Sequence, residues 1–298
     1  MEQLKQKAYA KINLSLDVVR RRDDGYHEVK MIMQTVGLYD ELTMEKCGQG
    51  IHVTVSMGDG FLGETLPADE NNLVYKAAKL IMDRYELCEG VRIHLDKHIP
   101  IAAGMAGGST DAAAVIRGMN GLFRLGMDLE DMKKLAVKIG ADVPYCIEGG
   151  TQLSEGIGEV LTPLRAAPAF LLLIAKPDIS VSTKYVYENL NLHTLTAHPD
   201  VDGMAAAIEK GDSAGIVSRM ENVLESVTLE KYPVIRKIKT VMKENGAWNA
   251  LMSGSGPTVF GIYNNREEME KTARLLREGK LAKQIFITTV KGNIKEGK

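Results

Sequence analysis

Residues 99–115 read IPIAAGMAGGSTDAAAV. A glycine- and alanine-rich turn runs into a hydroxyl pair and then into alanines. The stretch contains neither G-x-x-x-x-G-K-[ST] nor G-x-G-x-x-G, the two commonest phosphate motifs. Its physics still suits an anion. A helix N-terminus leaves backbone N–H groups unpaired and carries about half a positive charge. Gly104, Gly107 and Gly108 allow close approach of an oxyanion, and Ser109 and Thr110 supply hydroxyls that cap the helix or touch phosphate or magnesium. Ala112, Ala113 and Ala114 permit tight helix packing. Two readings stand on this stretch alone: a phosphate cradle without a Walker lysine, or an ordinary turn and cap.

Working outward, the chain has 298 residues, 45% of them hydrophobic, enough for one large domain or two ordinary ones. Lys plus Arg total 37 and Asp plus Glu 39, a net charge of -2. No basic excess points to nucleic acid. Cys47, Cys88 and Cys146 are odd in number and widely spaced, without C-x-x-C, which argues against a disulfide framework or zinc site and for a reducing cytoplasm. MEQLKQKAYAKINLSL has lysines but no apolar signal core, so no leader is expected. APAFLLLIA (167–175) is too short to span a bilayer and reads as a buried strand, so no membrane partner is expected.

Alternation predicts strands at 8–19, 27–44 (one or two), 51–55 and 91–99. Helical periods predict helices at 71–87, capped by Asn71 or Asn72, at 109–125, and at 129–140 between Asp128 and Gly140. The pattern changes near residue 160, which divides the chain into 1–160 and 161–298. Beyond it come helices at 182–190, 203–210, 230–244 and 265–278, and strands at 247–252, 257–263 and 284–290. Mixed elements without strict β-α-β alternation predict an α+β fold.

Two other constellations bear on chemistry. In AYAKINLSL (8–16), Lys11 and Asn13 interrupt an apolar strand on one face. In IGADVPYCIEGG (139–150), Asp142 follows a helix end among small and apolar residues. Taken singly, the lysine reads as solvent-facing and the aspartate as a turn or cap residue. Set across a pocket, they could deprotonate a hydroxyl and hold the resulting charge. Cys146 reads as a packing residue.

AYAKINLSLDV, IPIAAGMAGGSTDAAA and LMSGSGPTVFGI together resemble the three motifs of the GHMP kinases in order and spacing, over nearly the whole chain. The resemblance implies two parts: an N-terminal ribosomal-protein-like β/α domain and a C-terminal ferredoxin-like α/β domain, with the active site in the cleft between them. RRDDGYHEV (21–29) and IGADVPYCIEGG narrow it to family members that transfer the γ-phosphate of ATP to a 2-hydroxyl of a cytidine-diphosphate substrate, in non-mevalonate isoprenoid synthesis.

By the same resemblance, Asp142 is the general base and Lys11 stabilises developing charge. Pro100, Ile101, Ala102, Ala103, Gly104, Met105, Ala106, Gly107, Gly108, Ser109 and Thr110 hold the ATP phosphates. Asn72 and Lys97 help at the nucleoside, with helix cap and exposed strand residue as their alternatives. Asn13, Tyr26, His27 and Tyr187 bind the acceptor, and Gly254, Ser255 and Gly256 lie beside the phosphates. Mg²⁺ is expected with ATP, its protein ligands unassigned. The chain is expected to be a monomer or homodimer. Other GHMP small-molecule kinases, and a non-catalytic nucleotide-binding regulator on the same scaffold, are the competing readings.

Overall fold

A computed structural model describes residues 3–58, 60, 61, 65–192, 195 and 198–294. The chain opens with two long strands, β1 (Gln3–Arg21) and β2 (His27–Cys47), paired antiparallel, so the stretch 27–44 is one strand. β3 (Ile51–Met57), α1 (Leu73–Tyr85) and β4 (Gly90–Lys97) follow, and β3 pairs parallel to β4. Asn72 caps α1 by accepting from Val74 N–H. Helix α2 (Gly107–Phe123) begins two residues before the predicted start. Its cap is Ala106, in left-handed backbone, so Ser109 and Thr110 lie inside the first turn and cap nothing.

α3 (Leu129–Ala136) is capped by Asp128 as expected, but it stops short of Gly140. A short helix, α4 (Val143–Glu148), and a hairpin of β5 (Thr151–Glu155) and β6 (Val160–Pro163) were not legible in the sequence. All are short, and Gly149, Gly150, Gly156 and Gly158 break the chain between them. The larger sheet runs β3-β4-β2-β5-β6, with β1 on β2.

The second sheet begins with β7 (Leu171–Lys176). Helices α5 (Thr183–Asn189), α6 (Val201–Lys210), α7 (Ser213–Ser218), α8 (Glu225–Lys231) and α9 (Pro233–Glu244) come next. The helix expected at 230–244 is divided at Pro233, which cannot donate into a continuous helical ladder. β8 (Asn249–Met252), β9 (Val259–Tyr263), α10 (Arg266–Glu278) and β10 (Gln284–Thr289) complete it. The order β10-β7-β9-β8, all antiparallel, is the ferredoxin-like arrangement.

Two apolar clusters hold these layers together. One packs Ala112, Ala113, Ala114, Val115 and Ile116 of α2 and the inner face of α1 on the larger sheet. The other joins the sheets: Ala10, Ile12 and Leu14 of β1 meet Leu172 and Ile174 of β7, Phe260 of β9 and Met204 of α6. Strand alternation therefore turns Lys11 and Asn13 to the opposite face. Register shifts between Tyr9 and Lys11 and between Asn13 and Ser15 bend β1 there. Backbone bonds also cross between the halves, from Leu16 N–H to Glu221 O (2.9 Å) and from Lys291 N–H to Thr35 O (2.8 Å).

Arg117, buried in α2, reaches the end of α4 and donates to the carbonyls of Cys146 (2.7 Å) and Ile147 (3.2 Å). A cation at a helix C-terminus satisfies its last carbonyls. Arg117→Met should lower the free energy of unfolding by about 2–3 kcal/mol, since charged hydrogen bonds to buried carbonyls are lost. A urea titration showing an unshifted midpoint would contradict this role.

Candidate active site

A cavity of about 1390 Å³ opens where the two halves meet. Its walls carry Lys11, Asn13, Asp142, Asn72, Lys97, Tyr26, His27, Tyr187, Gly254 and Ser255, together with Pro100–Gly104 and Ala106–Ser109. The structure thus brings nearly every residue singled out in the sequence onto one surface. Three are turned off it. Met105 is buried in the core shared by the two sheets. Thr110 is buried and donates its hydroxyl to Tyr9 O (2.8 Å). Gly256 lies behind the turn, against Met252.

The 100–109 loop is built by its neighbours. Ala102 and Ala106 hold φ values of 48° and 56°, conformations that cost a residue with a Cβ roughly 1–3 kcal/mol each. Gly104 has φ 72°, and a Cβ there would lie 2.2 Å from the carbonyl oxygen of Ser253. Ser253 Oγ in turn donates to Gly104 O (2.9 Å). The loop of one half and the SGSG turn of the other therefore touch backbone to backbone. Asn222 fixes the turn, donating to Met252 O and Gly254 O, both at 2.8 Å.

Beneath the start of α2 lies a buried ion cluster that the sequence reading missed. Lys97 Nζ donates to Asp40 (2.5 Å) and Asp111 (2.6 Å). Asp40 also accepts from the N–H groups of His98 (2.5 Å) and Ile99 (2.7 Å). Lys97 is 2% exposed, which removes its reading as an exposed strand residue. Burial alone would pull the Lys97 ammonium pKa down, but the Asp111 and Asp40 carboxylates outweigh it and hold it above its ordinary value. Burial pushes the Asp111 carboxyl well above the usual carboxylate range. The sequence signal was weak, since Asp40 stands beside Glu41 and Asp111 follows the hydroxyls of Ser109 and Thr110.

Across the cavity, Lys11 Nζ lies 2.9 Å from Asn13 Oδ1 and 3.6 Å from Asp142 Oδ2. Lys11 is nearly buried, whereas the Asp142 side chain is 33% exposed. Asp142 stands at the cap position of α4, yet its side chain makes no capping bond. Its carboxylate is left facing the cavity beside an ammonium, at a distance longer than a hydrogen bond. Cys146, one turn along, is buried, and burial, then the Asp142 charge, pushes its thiol up to about 12.

At the other end, the rings of His27 and Tyr187 approach to 5.1 Å at 40°. Tyr26, 60% exposed, stands beside them at the rim. Burial, helped by Arg21, lowers the His27 pKa, so its imidazole is neutral near pH 7. Burial, then the Asp142 charge, raises that of the Tyr187 phenol.

Among the described residues, no group of three or more His, Cys, Asp or Glu is placed to hold a metal ion. No helix among them is long and apolar enough to cross a membrane. GDGFLG (58–63) has dinucleotide-motif spacing, but among the described residues the next helix opens only at Leu73.

Family models for the GHMP kinases N terminal domain and the GHMP kinases C terminal match residues 72–150 and 204–279. The chain is 52% identical to a 4-diphosphocytidyl-2-C-methyl-D-erythritol kinase of Lachnoclostridium phytofermentans, over 97% of each chain. A relative of the same name from Lachnospira eligens is also 52% identical, over 97% of this chain and 98% of its own. Among solved structures, a 4-(cytidine 5'-diphospho)-2C-methyl-D-erythritol kinase superposes with a TM-score of 0.81 at 31% identity, covering 97% of this chain and all of that one (100%). A homoserine kinase from Cytophaga hutchinsonii shares the fold (TM-score 0.78, 21% identity, 98% of this chain and 96% of its own). With both halves matched and close relatives along almost its full length, the chain belongs to the 4-diphosphocytidyl-2-C-methyl-D-erythritol kinases of the GHMP kinase family.

Proposed function

We propose that the chain phosphorylates the 2-hydroxyl of 4-diphosphocytidyl-2-C-methyl-D-erythritol with ATP, giving ADP and the 2-phosphate. The observation that carries this reading is the Lys11–Asp142 pair, 3.6 Å apart on the wall of the same cavity as the glycine loop. Phosphoryl transfer is catalysed mainly by positioning and electrostatics. Asp142 accepts the proton of the 2-hydroxyl as its oxygen attacks the γ-phosphorus. The bond to the β-phosphate oxygen breaks, and ADP carries that oxygen away. Lys11, steadied by Asn13, holds the charge developing on the attacking oxygen.

The loop at 100–109 holds the ATP phosphates through its backbone and the start of α2, where no side-chain cap occupies the first turn. Gly254 and Ser255 close the site from the other half. Asn72 and Lys97 border the nucleoside end. Cytosine sits between Tyr26, His27 and Tyr187, stacked on aromatic faces, with the neutral imidazole near its polar edge.

Magnesium fits the donor set in one manner. Asp111 Oδ2 is held by Lys97 and Asp111 Oδ1 is buried without a hydrogen-bond partner, so the accessible hard oxygen beside the glycine loop is the part-exposed Ser109 hydroxyl. An ion carried by the ATP phosphates and water, touched by Ser109, suits these residues. When bound, it supplies charge neutralisation at the phosphates. The cysteines are unpaired thiols, as suits the reducing cytoplasm in which we place the enzyme.

The direct test is ADP release with Mg-ATP and the diphosphocytidyl acceptor, beside homoserine, galactose and mevalonate. Release with the first alone supports the reading, and release only with another acceptor overturns it. Asp142→Asn should lower kcat roughly 10²–10⁴-fold with little change in acceptor KM. Wild-type turnover in that variant would remove Asp142 as base. Gly104→Val should cut kcat/KM for ATP by about 10²-fold, because a Cβ displaces the loop from Ser253. Tyr187→Ala should raise acceptor KM by about 10-fold, while Tyr187→Phe keeps it near wild type, a contrast that isolates stacking.

A further inference from the structure

Arg21 ends β1 and is paired in register with His27, the first residue of β2. Cross-strand partners share a face, so Arg21 stands on the cavity wall beside the imidazole. Its flanking arginines are engaged elsewhere. Arg20 donates to Glu28 (2.5 Å), and Arg22 pairs with Asp24 (2.8 Å). The other cations on the cavity wall also have carboxylate partners. Lys11 lies near Asp142, Lys97 is held by Asp40 and Asp111, and Lys184 is 3.8 Å from Glu188. Among the described residues, Arg21 alone of the cavity-lining cations has no ion-pair or hydrogen-bond partner for its side chain. Its charge is nonetheless felt at the site, since it contributes to the lowered His27 pKa.

An unpaired guanidinium beside a nucleobase pocket is matched to an anion attached to that base. We propose that Arg21 binds the diphosphate of the acceptor and so separates a cytidine diphosphate ester from the bare nucleoside. The inference rests on the cytidine-pocket reading above. A guanidinium is suited to the task because its planar fork donates two parallel bonds to phosphate oxygens. Exposure at the rim makes the contribution electrostatic and sensitive to salt.

The test is calorimetric binding of cytidine and of CDP, with a non-hydrolysable ATP analogue present to fill the phosphate loop. In the wild type, CDP should bind at least about 10-fold more tightly than cytidine. Arg21→Gln should bring that ratio to within about 3-fold while leaving cytidine affinity unchanged, and Arg21→Lys should restore part of it. In turnover, Arg21→Gln should raise acceptor KM by about 10-fold, with kcat and the KM for ATP unchanged. Equal loss of both ligands would make Arg21 a mere prop of the pocket wall and overturn the proposal, as would an unchanged ratio. The binding ratio reads Arg21 whether or not turnover is seen, so failure of the proposed activity and failure of this inference are separable results.

Discussion

One buried ammonium organises the side of the cavity that carries the glycine loop. Lys97 sits at the end of β4, and its two carboxylates come from β2 and from the first turns of α2. Three elements that meet only in space are thereby fixed at one point. Asp40 adds two backbone N–H groups from His98 and Ile99, which sets the direction in which the chain enters the 100–109 loop. Removing one partner of such a cluster leaves uncompensated charge in the interior, so its geometry is held firmly. The glycine loop inherits that rigidity. Its left-handed alanines persist because both ends of the loop are anchored.

The opposite wall of the cavity is organised by β1. Its alternation commits residues 10, 12 and 14 to the core between the sheets, which leaves Lys11 and Asn13 no face but the cavity. Asp142 reaches the same place from α4, whose far end is held by Arg117 from α2. Helix α2 therefore supports both walls of the cavity. Its start lies under the glycine loop, and its middle steadies the helix that Asp142 precedes. Contact of Gly104 with Ser253 brings in the second half of the chain, so the cavity exists only when both sheets are docked.

Much of this was legible because its signals are local. Period-two alternation located β1 and the face of Lys11, Asp128 announced its helix as a cap, and of the two candidates Asn71 and Asn72 the second caps α1. What escaped depended on distant partners. Lys97 looks like any strand lysine until Asp40 and Asp111 fold onto it. Ser109 and Thr110 look like caps, but Ala106 takes a strained conformation and the helix begins sooner. The β5–β6 hairpin and α4 are too short for periodicity to show. Joint spacing of three motifs pointed to the family, whereas no single motif separates a phosphate cradle from a common turn.

The central claim is that the γ-phosphate and the acceptor hydroxyl meet between the glycine loop and the Lys11–Asp142 pair. A crystal structure with a non-hydrolysable ATP analogue and the diphosphocytidyl acceptor tests it most directly. The account predicts the phosphates on residues 100–109, the cytosine against His27 and Tyr187, and the 2-hydroxyl within hydrogen-bond reach of the Asp142 carboxylate. An acceptor bound with its hydroxyl remote from Asp142, or a nucleotide held elsewhere than on that loop, would contradict it.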